Sequence, residues 1–587
     1  MSVITHDREA APRPAPDRPR RPAWLGVAVV GLATVIYLWL CWKYRAFVTD
    51  DSWISVRYAE NLAAGHGFVW NPGGPRAEGY SNPLLVAVEA GADLAGGSAL
   101  GAARALGVLS GLACVVLVYV RGRHVVGQSA AAIATLFTAA SPPFAAWALG
   151  GLETLPVALV LTVALLELSR RDGGNAVLAA AVLALLPWLR PEGLAVAGAV
   201  VLSSEGAGLL RRRTRAAAVR RAAVLGGLTL ASQVALEAFR LGVYGHLLPN
   251  SVIYKSGTGE TFAVLSKFAG QSIPLLVLAL VGLVLASGRQ RLLAVAPLVY
   301  VAGSIGTLDS ANGFSRFFMP VQPLLALLAG LALTGLAAGV GRMTRAGGAV
   351  LAAVAASIAL AIPMATARAE LAEEDITLRH LVPWWRASRP DSDPGWLELV
   401  WPLFALLGVL TLVGIVVAAG RSRLPIWAPA PLAAAGVLAV LAGPSGDVRT
   451  IEESQRLYMA CKVVARDGMA DWLSTTSPET SYAIADAGLV PARARRTAFD
   501  SLLLNEPLLQ ETGPLPVRER AELVHRQAPE VLVLASRSSK RFLPTYPTDE
   551  AIYDHPGMSN YRLVHVARGR GLADGPACRY HLLAYQR

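Results

Sequence analysis

Two adjacent carboxylates, Asp50 and Asp51, open a polar segment that reads VTDDSWISVRYAENLAAGHGFVWNPGGPRAEGYSNPLL from Val48 to Leu85. They follow directly on an apolar run. Carboxylates at a membrane boundary are costly unless exposed, paired or metal-bound. A carboxylate placed there can take the proton of a sugar hydroxyl as general base. Asp51, further from the apolar run, is the expected base. Asp50 is the expected partner of the donor or the candidate ligand of a divalent cation. The same residues also suit the cap of a helix expected over 52–64, and capping does not exclude catalysis. Arg57, Tyr58 and Asn61 then fall at helical spacing. A glycine-rich loop follows, in which Glu78, Tyr80 and Asn82 offer hydrogen bonds suited to a sugar or simply serve the loop itself.

Four further motifs carry charge. WALGGLE (147–153) sets Glu153 at an expected helix start, where a carboxylate either answers the helix dipole or meets substrate. LRPEG (189–193) places Arg190 and Glu192 around Pro191; Arg190 suits a phosphate, and equally a local ion pair with Glu192. FRLGVYGHLLPNSVIYK (239–255) supplies Arg240, Tyr244, His246, Asn250 and Lys255. An anionic lipid phosphate needs such cationic and neutral donors together, although a lone histidine like His246 is more often structural. DSANGFSRFFMP (309–320) adds Arg316 among three phenylalanines, which reads either as a phosphate contact or as an interfacial aromatic belt with a snorkelling arginine. No P-loop, Rossmann fingerprint, HExxH, GxSxG or paired CxxC pattern occurs, so no nucleotide is indicated. Chemistry outside the cytoplasm without ATP needs an activated donor already in the membrane.

The composition says what must position these residues. Over 587 residues the chain is 54% hydrophobic and 16% charged, with a mean hydropathy of +0.46, whereas soluble domains average about 25% charged. This excludes a disordered chain and a small disulfide scaffold, and fits a multi-pass protein in a lipid bilayer. The net charge of +12 comes from basic clusters between apolar runs. It therefore reflects the positive-inside rule rather than a nucleic-acid partner.

Apolar runs lie at 24–42, 101–120, 125–146, 152–169, 174–189, 193–210, 222–240, 268–287, 292–307, 319–340, 346–366, 397–419 and 424–443. They make about thirteen spans of an α-helical membrane protein. No cleavage site of a signal peptide follows the first run, so it reads as an uncleaved helix with a cytoplasmic start. The arginine clusters at 121–123, 170–171, 211–221, 289–291, 342–345 and 421–423 then all face the cytoplasm. The opposite, extracytoplasmic face of the membrane is expected to receive the segment after the first helix, the turn at Glu153, 190–193, 241–267, 308–318, 367–395 and everything from about 444 on. The short run 83–96, with Glu89 and Asp93, reads as an interfacial helix.

The expected organisation is a disordered tail (1–23), a membrane domain (24–443) with a first external loop over 43–100, and a C-terminal domain (444–587). Strand-like runs at 481–485, 530–535 and 561–567 alternate with helical patterns at 453–466 and 517–527, which suggests a small α/β domain. Cys41 and Cys114 fall in apolar runs, as small buried hydrophobes do. Cys461 and Cys578 both fall in the exported domain, where oxidation permits a disulfide. Whether their Cα atoms lie within the necessary ~7 Å is not legible in the sequence.

Taken in order, the Asp pair, RYAENLAAGHGFVWNPG, EGYSNPL, GLE, RPEG, YGHLLPN and SRFFMP resemble bacterial GT-C-type polyprenyl-phosphate-sugar-dependent glycosyltransferases. The likeness is greatest to the actinobacterial terminal β-(1→2) arabinofuranosyltransferases of cell-wall arabinan. It covers residues 24–340, and the C-terminal domain also looks like that family's. One departure is Leu85, where the family commonly has Trp. The resemblance implies a GT-C-like fold that moves a sugar, with arabinofuranose the candidate, from a polyprenyl-phosphate donor to an extracytoplasmic cell-wall glycan. The first-loop acid of the family maps onto Asp50 and Asp51, and its donor-phosphate contacts onto Arg190, Arg240, Lys255 and Arg316. Arg57, Glu78, Tyr80, Asn82, Glu153, Glu192, His246 and Asn250 complete the substrate-binding candidates. The competing classes are a protein O-mannosyltransferase using polyprenyl-phosphate mannose and a transporter of lipid-linked glycans. A transporter favours broken mid-membrane helices and internal repeats, and the sequence shows neither.

Overall fold

The computed structural model describes residues 23–170, 172, 174–255, 275–307, 316–340, 455–572 and 577–587. The tail up to residue 22 and the expected spans 346–366, 397–419 and 424–443 lie outside them. Among the described residues, five helices are long and apolar enough to cross a membrane: Trp24–Lys43, Ala99–Val126, Gly193–Leu210, Arg215–Tyr244 and Arg316–Leu336. Shorter apolar helices cover Gln128–Ala139, Thr154–Leu168, Ala176–Leu189 and Leu275–Leu285.

Helix α1, Ala23–Lys43, is about 31 Å long at 1.5 Å per residue, the thickness of a bilayer core. Ala33, Tyr37, Leu40, Cys41 and Tyr44 are buried on one face, at the i, i+4, i+7 and i+8 spacing of a packed stripe. Val27, Leu32, Val35 and Trp39 are exposed on the other, as expected for a lipid-facing surface. At its end Lys43 and Arg45 lie over the rings of Trp39 and Trp42, an aromatic and cationic anchor suited to an interface.

Helix α2 covers Asp50–Ala63 and α3 covers Pro83–Leu94. Then come α4 (Ala99–Val120), α5 (Arg123–Val126), α6 (Gln128–Ala139) and α7 (Pro142–Trp147). The run expected at 125–146 is thus broken. Pro142 and Pro143 cannot continue a helix, and Ser141 caps the new one by accepting the N–H of Phe144. Beyond α8 (Thr154–Leu168), Pro187 similarly splits 174–189 into α9 (Ala176–Leu183) and α10 (Leu186–Leu189). After α11 (Gly193–Leu210), α12 runs over Arg215–Tyr244, longer than its apolar stretch because the basic first turns also suit a helix. It stops at Gly245, whose φ of +77° is the left-handed C-terminal turn that glycine adopts freely. Short α13 covers Asn250–Lys255. Helices α14 (Leu275–Leu285) and α15 (Val295–Thr307) follow, and a 3₁₀ turn over Arg316–Val321 leads into α16, Gln322–Val340.

The C-terminal domain is a five-stranded sheet of order β2-β1-β3-β5-β4. Strands β1 (Ser481–Ile484), β2 (Thr497–Asp500) and β3 (Val531–Ser536) are parallel; β4 (Arg562–Arg568) and β5 (His581–Gln586) are antiparallel to their neighbours. Central β3 is buried along its whole length, which explains its unbroken apolar sequence. Strands β2 and β5 lie outside the strand-like runs of the sequence; β2 has only four residues, directly after an arginine-rich stretch. Cys461 and Cys578 form a disulfide with Cα atoms 5.3 Å apart.

Two cores matter for the site. One fills the membrane helices. The other is shared: Ile54, Val56, Tyr58, Trp70, Tyr80 and Val86 form one apolar cluster with Met469, Tyr482, Val531 and Leu582. The C-terminal domain is therefore packed on the segment that carries α2 and α3.

Candidate active site

The chain entering α2 is held from two sides. Thr49 gives both its N–H and its hydroxyl to the carbonyl of Gly150, at 3.3 and 3.1 Å. The WALGGLE loop thereby fixes the start of the helix. Gly151 in that loop has φ +76°, and a Cβ there would press on Ser52 at 2.8 Å. Thr49, not an aspartate, is the N-cap residue, and Asp50 and Asp51 are the first two residues of the helix. The helix expected over 52–64 therefore begins two residues earlier. Both acids still gain from the positive end of its dipole.

The two carboxylates point to different partners. Asp51 Oδ2 lies 3.2 Å from Nη1 of Arg316, and its side chain remains 49% exposed. The other terminal nitrogen of Arg316 reaches Glu153 Oε1 at 3.3 Å. Glu153 is wholly buried at the cap of α8. It accepts from Arg190 Nη1 at 2.8 Å and from Asn82 Nδ2 at 2.7 Å. Ser55 fixes the amide of Asn82 through its Oδ1 at 2.9 Å, and Arg190 is also bonded to Glu192. Burial disfavours a charged Glu153, but Arg316 and Arg190 outweigh it and hold the carboxyl below its ordinary range. Arg316 and Arg190 both lie against the ring of Phe317, 5.5 and 5.1 Å away, so this arginine pair is backed by an apolar, aromatic wall. Nε of Arg316 is buried with no hydrogen-bond partner among the described residues.

A second cluster lies along 78–82. Arg240 of α12 pairs with Glu78 at 3.0 Å and Glu237 at 3.2 Å, while its Nη2 is buried and unpartnered among the described residues. Burial pushes the Glu78 carboxyl up to about 7, against the pull of Arg240. The hydroxyls of Tyr80 and Tyr244 are 2.7 Å apart. Glu89 of α3, fully buried, has no partner on either oxygen among the described residues. Burial first, then Glu153 and Glu60, raises its pKa well above the carboxylate range, which favours the neutral acid.

Other expected site residues face the C-terminal domain. Asp50 Oδ1 accepts the N–H of Leu489 at 3.0 Å and lies 3.5 Å from Arg466 Nε. Burial, with the repulsion of Asp486 and Asp51, pushes its carboxyl up although Arg466 and the Leu489 N–H pull it down. This is the position expected to bind a divalent cation. A guanidinium already faces its oxygens and pairs with Asp486 at 3.1 Å, so the arrangement fits an arginine rather than a metal ion. No group of three or more metal-ligating side chains occurs among the described residues. Arg57 is buried, donating to the carbonyls of Trp70, Pro491 and Arg496. Asn250 donates to the carbonyls of Leu504 and Glu506. His246 is exposed beyond the end of α12. Lys255 closes α13, and its side chain lies outside the described residues. Arg466, Tyr458, Asp486 and Gly488 had no sequence signal: each lies over 400 positions from Asp50 along the chain.

No protein-family model matches the chain, and no curated protein does. Solved structures do. ArnT from Cupriavidus metallidurans bound to undecaprenyl phosphate is 19% identical with a TM-score of 0.52, over 96% of this chain and 98% of that one. Its apo state gives 18% and 0.53, over 96% and 97%. An oligosaccharyltransferase from Archaeoglobus fulgidus gives 13% and 0.46, over 87% and 69%. The first two likenesses show the fold alone, the GT-C-like architecture expected from the sequence.

Proposed function

We propose that this chain is a membrane glycosyltransferase that moves a sugar from a polyprenyl-phosphate donor to a cell-wall glycan outside the cytoplasm. The observation that carries the reading is Arg316 bridging half-exposed Asp51 and buried Glu153, with Arg190 on the same carboxylate. It occurs in a fold shared with a protein whose structure was solved with undecaprenyl phosphate.

The chemistry follows from the partners. Asp51 takes the proton of the acceptor hydroxyl as its oxygen attacks the anomeric carbon. The bond from that carbon to the phosphate oxygen breaks, and polyprenyl phosphate leaves. Arg316 and Arg190 meet the phosphate, aided by the unpartnered Nε of Arg316, and Arg240 contributes a further N–H. Such preorganised cations act where charge develops. A phosphate arriving at Arg316 also competes with Asp51 for the guanidinium and so frees the base. Glu153 keeps two arginines together that would otherwise repel. Arabinofuranose is the candidate sugar, on the sequence resemblance alone. The disulfide supports an extracytoplasmic C-terminal domain, because such bonds persist in oxidising compartments.

The test is transfer by the purified full chain in lipid. Radiolabelled polyprenyl-phosphate pentose or mannose is offered with glycan or peptide acceptors, and wall-glycan linkages are analysed in a deletion strain. Label on the glycan supports the reading. Label on the peptide makes it a protein mannosyltransferase, and movement of a lipid-linked glycan across the vesicle without transfer makes it a transporter.

A further inference from the structure

We propose that Arg466, in the C-terminal domain, is a positioning residue for the transfer reaction, holding Asp50 and through it the first turn of α2 that presents Asp51. The role rests on the reading of Asp51 as the base.

The contacts converge on one turn. Arg466 spans Asp486 with two nitrogens, Nε at 3.3 Å and Nη2 at 3.1 Å, while Nε also faces Asp50 at 3.5 Å. Nη1 donates to the hydroxyl of Tyr458 at 3.1 Å. That hydroxyl in turn accepts the backbone N–H of Asp50 at 3.2 Å, one of the donors a helix start leaves unpaired. Tyr546 donates to Asp486 Oδ1 at 3.0 Å and completes the fixing of the carboxylate. The C-terminal domain thus satisfies the backbone of Asp50 through Tyr458, and its side chain through Leu489 and Arg466.

Gly488 shows that this seat is closely fitted. A Cβ at that position would overlap the backbone carbonyl of Asp50. A domain resting loosely on the loop has no such requirement. Arg466 and Asp486 are both buried at this contact. A buried arginine between two carboxylates gives directional hold at the cost of desolvation. That is the character of a device for geometry rather than for stability alone. Asp51 is the next residue in the same helical turn, so a shift of Asp50 moves it directly relative to Arg316. The WALGGLE loop holds the same helix start through Thr49 and Ser52 on either side of the Asp pair, whereas Asp50 itself is bonded from the C-terminal domain.

The experiment uses the full chain in lipid, with Arg466→Gln, Arg466→Lys, Gly488→Ala and Asp50→Asn, and with Arg466→Gln combined with Asp50→Asn. Folding is controlled by melting temperature and by retention of the Cys461–Cys578 bond. Amide exchange at residues 50–53 and transfer kinetics are read together. Exchange in that turn is expected to rise in Arg466→Gln and in Gly488→Ala. In Arg466→Gln, kcat is expected to fall at least ~10-fold with the donor KM within about twofold, because a misplacement of about 1 Å can cost ~100-fold. Lysine should restore part of kcat, and the double variant should be no slower than Asp50→Asn. Folded variants with unchanged exchange and unchanged kcat overturn the proposal, as does an equal loss in kcat and in donor affinity. If the wild type transfers no sugar while exchange rises as stated, the hold on α2 stands and the glycosyltransferase reading fails instead.

Discussion

Arg316 Nη1 lies 3.2 Å from Asp51 Oδ2, across 265 positions of sequence. This contact joins the start of α2 to the turn before α16, and through Glu153 to Arg190. It makes one charge network of four motifs that are far apart in the chain, those of Asp51, Glu153, Arg190 and Arg316, and the first predictions follow from it.

Asp51→Asn keeps size and helix-start character but removes basicity. General-base catalysis is worth about 10²–10⁴-fold, so turnover should fall at least ~100-fold while donor binding persists. The check is kcat against donor affinity in the reconstituted chain. Near wild-type turnover would transfer the role to another carboxylate, Glu78 first.

Glu153→Gln leaves Arg190 and Arg316 buried without the carboxylate they share. Removing one partner of a buried ion pair typically costs ~3–5 kcal/mol. A lower melting temperature is expected together with a weaker donor affinity, since the two guanidinium groups lose the anchor that orients them. Asn82→Ala should act in the same direction and less strongly, because it removes an uncharged donor to Glu153 and the partner of Ser55 but no charge.

The pH dependence of stability should come partly from Asp500 and Glu506, which burial pushes up to about 6 and about 8. Both folded values lie above those of the free side chains, so the folded state keeps protons that the unfolded chain has released. Their contribution is complete below about pH 4 and is lost as pH rises through 6 and 8. Unfolding of the C-terminal domain should therefore become easier between pH 5 and pH 8. Glu506→Gln should flatten that slope in a series of melts.

Reducing the Cys461–Cys578 bond, or replacing both residues with alanine, should lower stability by about 2–5 kcal/mol. The bond closes a sequence separation of 117 within the domain that grips Asp50, Arg57 and Asn250. Amide exchange in α2 should consequently rise as well, which a purely local effect would not produce.

The sequence by itself determined what depends on neighbours along the chain. Runs of about twenty apolar residues specify helices whatever surrounds them, and α1, α4 and α11 begin and end close to the limits of their runs. The uninterrupted apolar stretch of β3 specifies a strand at the centre of a sheet. Residue types also marked Asp51, Glu153, Arg190 and Arg316 as chemistry on one face, because charge at a membrane boundary needs a reason. Only the tertiary structure decided how those charges are shared. Distance from the apolar run separates Asp50 from Asp51 in the sequence, but it does not name the partner of either. One faces Arg316 and the other Arg466 because successive residues of a helix point about 100° apart, toward elements brought together only by the folded chain. Arg57 and Asn250, expected among the substrate-binding residues, also hold the C-terminal domain, through backbone carbonyls of Pro491, Arg496, Leu504 and Glu506 that any sequence supplies and none announces.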